Sequence, residues 1–413
     1  MAAVTRAPAA RAGTFAALRY ANYRLYFTGQ IVSVSGSWMQ TVAQGWLVFH
    51  LTQSELWLGI VAAAAGLPSI VISPFAGVLI DRVSRRAILT ATQIALMLLA
   101  AIMTALTLSS AVQVWHVVAL AALAGIANAV DAPARQAFVR DMVGRENISS
   151  GVTLNSMMFN SARIIGPTVA GITLATVGAG WCFLINTVSF MAAIVALRMM
   201  RLEGEPVPSV KGMNPLTALR DGVHYSRSHL TIGPLLLLSL VTCLFTINIV
   251  SVLPSFAAVT LRSPIDGYST LSMAQGVGAV LGALGLAFFG RTFGRGYVIS
   301  AMVALLTISA VGLAASTAVL PAALFMVGLG FSVVMFFVNI NTLIQDHVPD
   351  EYRGRVLSLY TLMFMGLAPI GSLALGALAN QVGTPLAIAL YGLLNGMLGM
   401  LVLLRQRAVC QLA

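Results

Sequence analysis

Few side chains in this sequence are equipped for chemistry, and several of them lie where polarity is costly. Gln30, Ser33, Ser37, Gln40, Thr41 and Gln44 recur at i, i+3, i+7, i+10, i+11 and i+14, one face of an α-helix. Amides and hydroxyls in line suit a wet substrate cavity that binds by hydrogen bonds. The competing role is helix–helix hydrogen bonding, worth about 0.6–2 kcal/mol per contact. A shorter stripe, Ser239, Thr242 and Thr246, stands open between the same two roles. Arg163 lies in the stretch FNSARIIGPTVAG (159–171), within otherwise apolar sequence. An arginine in hydrocarbon costs between about 2.5 and 17 kcal/mol. No deep carboxylate is evident to neutralise it. It is expected either to face the cavity, meeting anionic or carbonyl-rich substrates, or to lock helices through backbone carbonyls, Asn155, Asn160 or the glutamines of the stripe. Of the 12 acidic residues, Asp131 alone is placed within hydrocarbon, near one boundary. It reads as a proton site or as the ion-pair partner of Arg82 or Arg86.

The elements that must hold these groups follow from composition. The 413 residues are 59% hydrophobic and 8% charged, against roughly 25% charged in soluble domains. A bilayer is the natural solvent, and about 20 apolar residues cross it as a helix. Apolar runs bounded by charge, Pro or Gly predict twelve spans: 24–50, 55–80, 87–109, 113–132, 152–177, 181–200, 232–260, 268–289, 297–316, 321–345, 356–381 and 385–404. With the N-terminus placed in the cytoplasm, 21 of the 23 Lys and Arg residues fall on that side, the exceptions being Arg262 and Arg163. The net charge of +11 is therefore topological and does not point to nucleic acid. Three scattered cysteines form no disulfide framework. There is no phosphate loop, no metal-ligand spacing and no other enzyme signature, so neither a catalytic residue, a metal nor a cofactor is expected. The basic N-terminal segment lacks a continuous apolar region and reads as a cytoplasmic tail rather than a cleavable signal.

One long polar segment, 201–230, divides the chain. The expected organisation is a tail (1–23), a six-helix bundle (24–200), a cytoplasmic linker (201–230), a second six-helix bundle (231–404) and a short tail (405–413). The bundles repeat. FVRDMVGRE (138–146) aligns with LIQDHVPDE (343–351), matching Asp141 to Asp346 and Glu146 to Glu351; further along, Gly166 meets Gly371 and Gly171 meets Gly376. Parallel six-helix repeats are a feature of secondary transporters.

Between the second and third spans stands GVLIDRVSRRAI (77–88). Gly77, Asp81, Arg82, Arg85 and Arg86 resemble the loop signature of the major facilitator superfamily, with Ser84 in place of its second glycine. The resemblance implies a gating latch in which Asp81 meets span 11, and Gly77 would admit a close helix. A second run, from PARQA (133–137) through LNS (154–156) to ARIIGP (162–167) and Gly171, resembles the branch of that superfamily containing the enterobactin exporter and the macrolide efflux proteins. Pro167 removes a backbone donor and would kink its helix. Gly166 and Gly171 would allow close packing, expected against the other half.

The expectation is an all-α membrane protein of the major facilitator fold, in a bacterial inner membrane with both termini cytoplasmic. It is read as a monomeric secondary transporter, exporting a siderophore-like or drug-like molecule by alternating access with protons as coupling ion. The alternatives are a nutrient importer on the same fold and a non-transporting sensor or scaffold.

Overall fold

The computed structural model describes residues 15–80, 82–201, 215–289 and 294–406. The first bundle comprises α1 (Ala21–Thr52), α2 (Glu55–Ile80), α3 (Arg85–Leu108), α4 (Val114–Val143), α5 (Ile148–Thr176) and α6 (Ala179–Met199). A helix in the linker, α7 (Pro215–Ser228), precedes the second bundle. That bundle opens with a broken helix: α8 (Ile232–Phe245), a 3-10 stretch (Ile247–Val252), the single turn α9 (Leu253–Ser255) and a π-turn (Phe256–Thr260). It continues with α10 (Asp266–Phe289), α11 (Arg295–Ala315), α12 (Val319–His347), α13 (Asp350–Val382) and α14 (Thr384–Arg405).

Among the described residues, twelve long helical segments match the twelve predicted spans, the broken one counted once. Ten are long and apolar enough to cross a membrane by length and composition; α1 and α5 are the other two. Those two carry the polar stripe and Arg163, so the residues that depress their hydropathy are the ones that attract a functional reading. One boundary differs materially. Span 4 was expected to end at 132, but α4 continues through Pro133 to Val143. Arg135 is therefore a helix residue, 9% exposed, and not a loop charge.

The sequence repeat becomes a spatial one. Asp141 pairs with Arg85 at 2.5 Å, and its counterpart Asp346 pairs with Arg295. A Cβ built on Gly166 would lie 2.8 Å from the Ser35 carbonyl oxygen of α1; one on Gly371 would lie 2.3 Å from that of Leu244 in α8. Both glycines therefore let their helix close on the first helix of their own bundle. For Gly166 this corrects the expectation of a partner in the other half. The next pair does cross over: Gly171 abuts Ser269 of α10, and Gly376 abuts Gly59 and the Glu55 carbonyl of α2. The register extends to Gly178 and Gly383, which turn the chain into α6 and α14 with φ of 89° and 87°, a region that only glycine occupies without strain.

The bundles meet along α2–α13 and α5–α10. A Cβ on Gly59 would fall 2.7 Å from the Ser372 carbonyl oxygen, and one on Gly66 would collide with the ring of Pro369. Beside this seam, Ser54 donates to Asn380 at 2.8 Å, and the Glu55 carboxylate accepts from Ser255 (2.5 Å) and Thr384 (3.2 Å). All of these join the halves at the end away from the arginine-rich loops. At the arginine-rich end one face of α2 is exposed: Phe75 is 69% exposed and a Cβ on Gly77 would meet nothing within 4 Å, while Ala76 and Ile80 are buried. Among the described residues no helix makes the close approach expected at Gly77, and Asp81 lies outside the described residues.

Cysteines replacing Ser54 and Asn380 are expected to cross-link readily under mild oxidation, read as a mobility shift. Adding Gly59→Val is expected to suppress the cross-link, because overpacking a close contact costs about 1–3 kcal/mol.

Candidate functional site

A cavity of about 500 Å³ lies between the halves. Its wall includes Ser37, Gln40, Thr41 and Gln44 from α1, four of the six stripe positions. The second half contributes Asn248 and Ser251 from the broken helix, Tyr268 from α10 and Ser372 from α13. Where α8 stops, the Asn248 amide donates to the carbonyls of Cys243 and Leu244, each at 2.8 Å, and its oxygen accepts from Ser372 at 3.0 Å. A side chain here replaces backbone donors lost at the break, so an irregular segment can line a cavity within the bilayer. Asn186 of α6 donates to Gln40 at 2.6 Å and accepts from Ser189 at 3.0 Å. Sequence reasoning missed Asn186, Asn248 and Asn128. The one available signal was the mixture of Asn248 with Ser251 and Pro254 in an apolar span, the composition of a discontinuous helix. Ser239, Thr242 and Thr246 are buried inside the second bundle and do not line the cavity.

Gln30 and Ser33, the other two stripe residues named for the cavity, lie off its wall. They belong instead to a buried network in the first bundle. Ser33 donates to Gln93 (3.2 Å), Gln93 donates to Asp131 (3.0 Å), Thr92 donates to Asp131 (2.7 Å), and Arg135 donates to Gln30 (2.6 Å). At its centre Asp131 is salt-bridged to Arg135, one helical turn on. The expected partners were Arg82 and Arg86. Instead, Arg86 donates to the Arg198 carbonyl at 2.9 Å, Arg85 pairs with Asp141, and Arg82 is exposed. The reason is the unforeseen length of α4, which brings its own arginine into the bundle. The Arg135 guanidinium also sits 5.6 Å from the ring centroid of Phe159 on α5.

The repeat supplies a comparison within the molecule. At the offset linking Asp141 to Asp346, Asp131 corresponds to Phe336 and Arg135 to Ile340, both fully buried. One fold position is thus filled by an ion pair in the first half and by apolar packing in the second. Buried ion pairs bring little stability over apolar replacements of similar volume, so the fold does not call for this one.

Arg163 does not reach the cavity wall either. Its guanidinium lies over the ring of Trp38, 5.2 Å from the centroid. Among the described residues it has no ion pair, and the lock through Asn155 or Asn160 is not formed: Asn155 accepts from Tyr26 and Asn160 donates to Ser156. A cation–π contact contributes about 0.5–2 kcal/mol. The Arg163 backbone has its own role. Pro167 lacks the N–H that would bond the Arg163 carbonyl, and Gly276 of α10 packs there: a Cβ on it would lie 2.6 Å from that oxygen. α5 remains one continuous helix through Pro167. Ser84, which departs from the loop signature, caps α3 by accepting the Ala87 N–H at 3.1 Å.

Comparison with known proteins agrees with this architecture. The profile of a family described as transmembrane secretion effectors, within the major facilitator class, matches residues 12–411. The staphyloferrin A transporter of Staphylococcus aureus is 24% identical, over 90% of this chain and 92% of its own. The multidrug efflux pump Tap of Mycolicibacterium fortuitum is 28% identical, over 88% and 91%. Macrolide efflux protein A of Streptococcus pyogenes is 24% identical, over 88% and 92%. Among solved structures, the nucleoside transporter NupG (D323A mutant) superposes with a TM-score of 0.74 at 13% identity, covering 94% of this chain and 99% of that one. Two six-helix bundles around a shared cavity, with this family match over nearly the whole chain, make it a member of the transmembrane secretion effector family of major facilitator transporters.

Proposed function

We propose that this chain is a proton-coupled exporter that carries a siderophore-like or drug-like molecule out of a bacterial cell by alternating access. The observation that carries the reading is the cavity, walled by both halves and closed at one end by the Gly59–Gly376 seam and the Glu55 hydrogen bonds. A cavity shared between two bundles changes its exposure when they rock, without any bond being made or broken in the cargo. The cargo class follows relatives whose names specify a siderophore or drugs. The arginine-rich end is assigned to the cytoplasm, with the segments before 24 and after 404 on that side and 201–230 as the linker. In that orientation the conformation is open inward. The latch role of Gly77, Asp81, Arg82, Arg85 and Arg86 is assigned to the opposite, outward-open state, in which α2 and α13 would close at their cytoplasmic ends.

Proton coupling is assigned to Asp131. It is the acidic residue of the membrane interior, and its replacement by phenylalanine in the repeat frees it from a purely structural explanation. Protonating Asp131 would release Arg135 to the glutamines beside it.

In reconstituted vesicles, an imposed pH gradient is expected to drive net movement of at least one of a radiolabelled uncharged lactone, a macrolide and an iron-free siderophore; no movement of any of them, with either gradient direction, would defeat the exporter reading. Asp131→Asn leaves Arg135 buried without its counter-charge and is expected to lose about 3–5 kcal/mol of stability, read in a denaturation curve. Asp131→Asn with Arg135→Gln is expected to restore folding and keep downhill substrate flux while abolishing its acceleration by the pH gradient. Retained acceleration would remove Asp131 from the coupling.

A further inference from the structure

The cavity wall is polar without being charged. Among the described residues it carries no Asp, Glu, Lys, Arg or His, yet it holds five carboxamides: Gln40, Gln44, Asn128, Asn186 and Asn248. Their internal bonds decide what they offer a ligand. Asn248 spends its amide hydrogens on backbone carbonyls and its oxygen on Ser372. Asn186 is held by Gln40 and Ser189, which leaves the Gln40 amide nitrogen with its hydrogens free. Gln44 and Asn128 also face the cavity. Ser37 and Thr41 donate back to α1 carbonyls, each at 3.0 Å, so their hydroxyls present lone pairs. The wall thus offers several neutral donors and acceptors on a ground of apolar side chains such as Leu96, Met103 and Phe190.

Charge close by is withheld from the ligand. Asp131 and Arg135 neutralise each other behind the wall, and Arg163 is held over Trp38. An ion entering the cavity would lose hydration and meet no counter-charge, a net cost. A neutral molecule rich in carbonyl, ether or hydroxyl oxygens would lose less and recover hydrogen bonds from the amides. We propose that the cavity selects substrates of zero net charge bearing several oxygen acceptors on an apolar frame, and discriminates against free carboxylates and ammonium ions. Within the siderophore and drug classes this favours neutral chelates and uncharged lactones or amides over polycarboxylates.

This inference rests on the cavity being the transport site, and its test separates the two readings. The full-length protein in lipid nanodiscs is titrated with drug-sized coumarin dyes in matched pairs, each a primary amide and its parent carboxylate at pH 7.5, followed by fluorescence anisotropy. The amides are expected to bind at least about tenfold more tightly than the acids. Gln44→Leu is expected to weaken amide binding several-fold, and Gln44→Arg to reverse the preference toward the acid. Both variants are checked for native elution and melting. Equal or tighter binding of the acids by the unsubstituted protein, or binding of neither member of any pair, would overturn the proposal. Vesicles that export only anions would preserve the exporter reading and overturn this one; vesicles that export nothing would defeat the exporter reading itself.

Discussion

The two halves touch through backbone. At Gly59 with Gly376, at Gly171 with Ser269, and at Gly276 with the Arg163 carbonyl, one helix lies so close to another that a single Cβ would collide. In a bilayer no hydrophobic effect drives helices together, because lipid tails are as apolar as leucine. Close approach of small residues substitutes for it, through dispersion summed over many short contacts. At these glycine contacts no long side chain interlocks; the side-chain hydrogen bonds of Ser54 and Glu55 across the halves lie at one end. Such seams hold two rigid bundles together while leaving them free to tilt, which is the mechanical property a shared cavity needs.

Rigidity within each bundle comes from elsewhere, and the halves differ. The second packs Phe336 and Ile340 where the first buries Asp131 and Arg135. Duplicated architecture makes this contrast informative: both solutions fold, and the ionic one costs desolvation that the apolar one avoids. The first half also supplies the stripe of glutamines, and its deep residues Gln30 and Ser33 complete the ionic network while its outer residues face the cavity. A single helix, α1, therefore connects the charged interior to the substrate wall.

Much of this was legible in the sequence because membrane folds obey strong, simple constraints. Span length, arginine placement and an internal repeat each constrain the topology independently, and they agreed. Individual partners were harder to read. The apolar pattern of span 4 fades near 132, yet hydrogen-bonded helix continues to Val143. Hydropathy reports solvent and not backbone conformation, so a buried polar turn looks like a loop. That error moved Arg135 out of the protein and left Asp131 to be paired with loop arginines. The stripe was a correct helical face, but helical periodicity cannot say which part of a face meets a cavity and which meets α3 and α4. Asn186 was invisible as a wall residue because an isolated asparagine has no periodic signature, and Asn248 was marked only by the Ser251–Pro254 break in its span.

Arg163 shows how side chain and backbone at one position can serve different ends. Its repeat counterpart, Ala368, lines the cavity, so the corresponding place in the second half is small and open. In the first half the guanidinium turns aside onto Trp38, which sits on α1 next to the cavity residue Ser37. Meanwhile the carbonyl that Pro167 cannot bond lies against α10, and Gly276 is what permits the approach. The Arg-Ile-Ile-Gly-Pro sequence thus brings three constraints within five residues: a cation held by an aromatic ring of α1, a glycine packed on that same helix, and a proline that strips a carbonyl for the opposite half. Trp38 and Gly166 tie the same stretch of α5 to α1, the helix that carries Gln40 and Gln44 of the cavity wall.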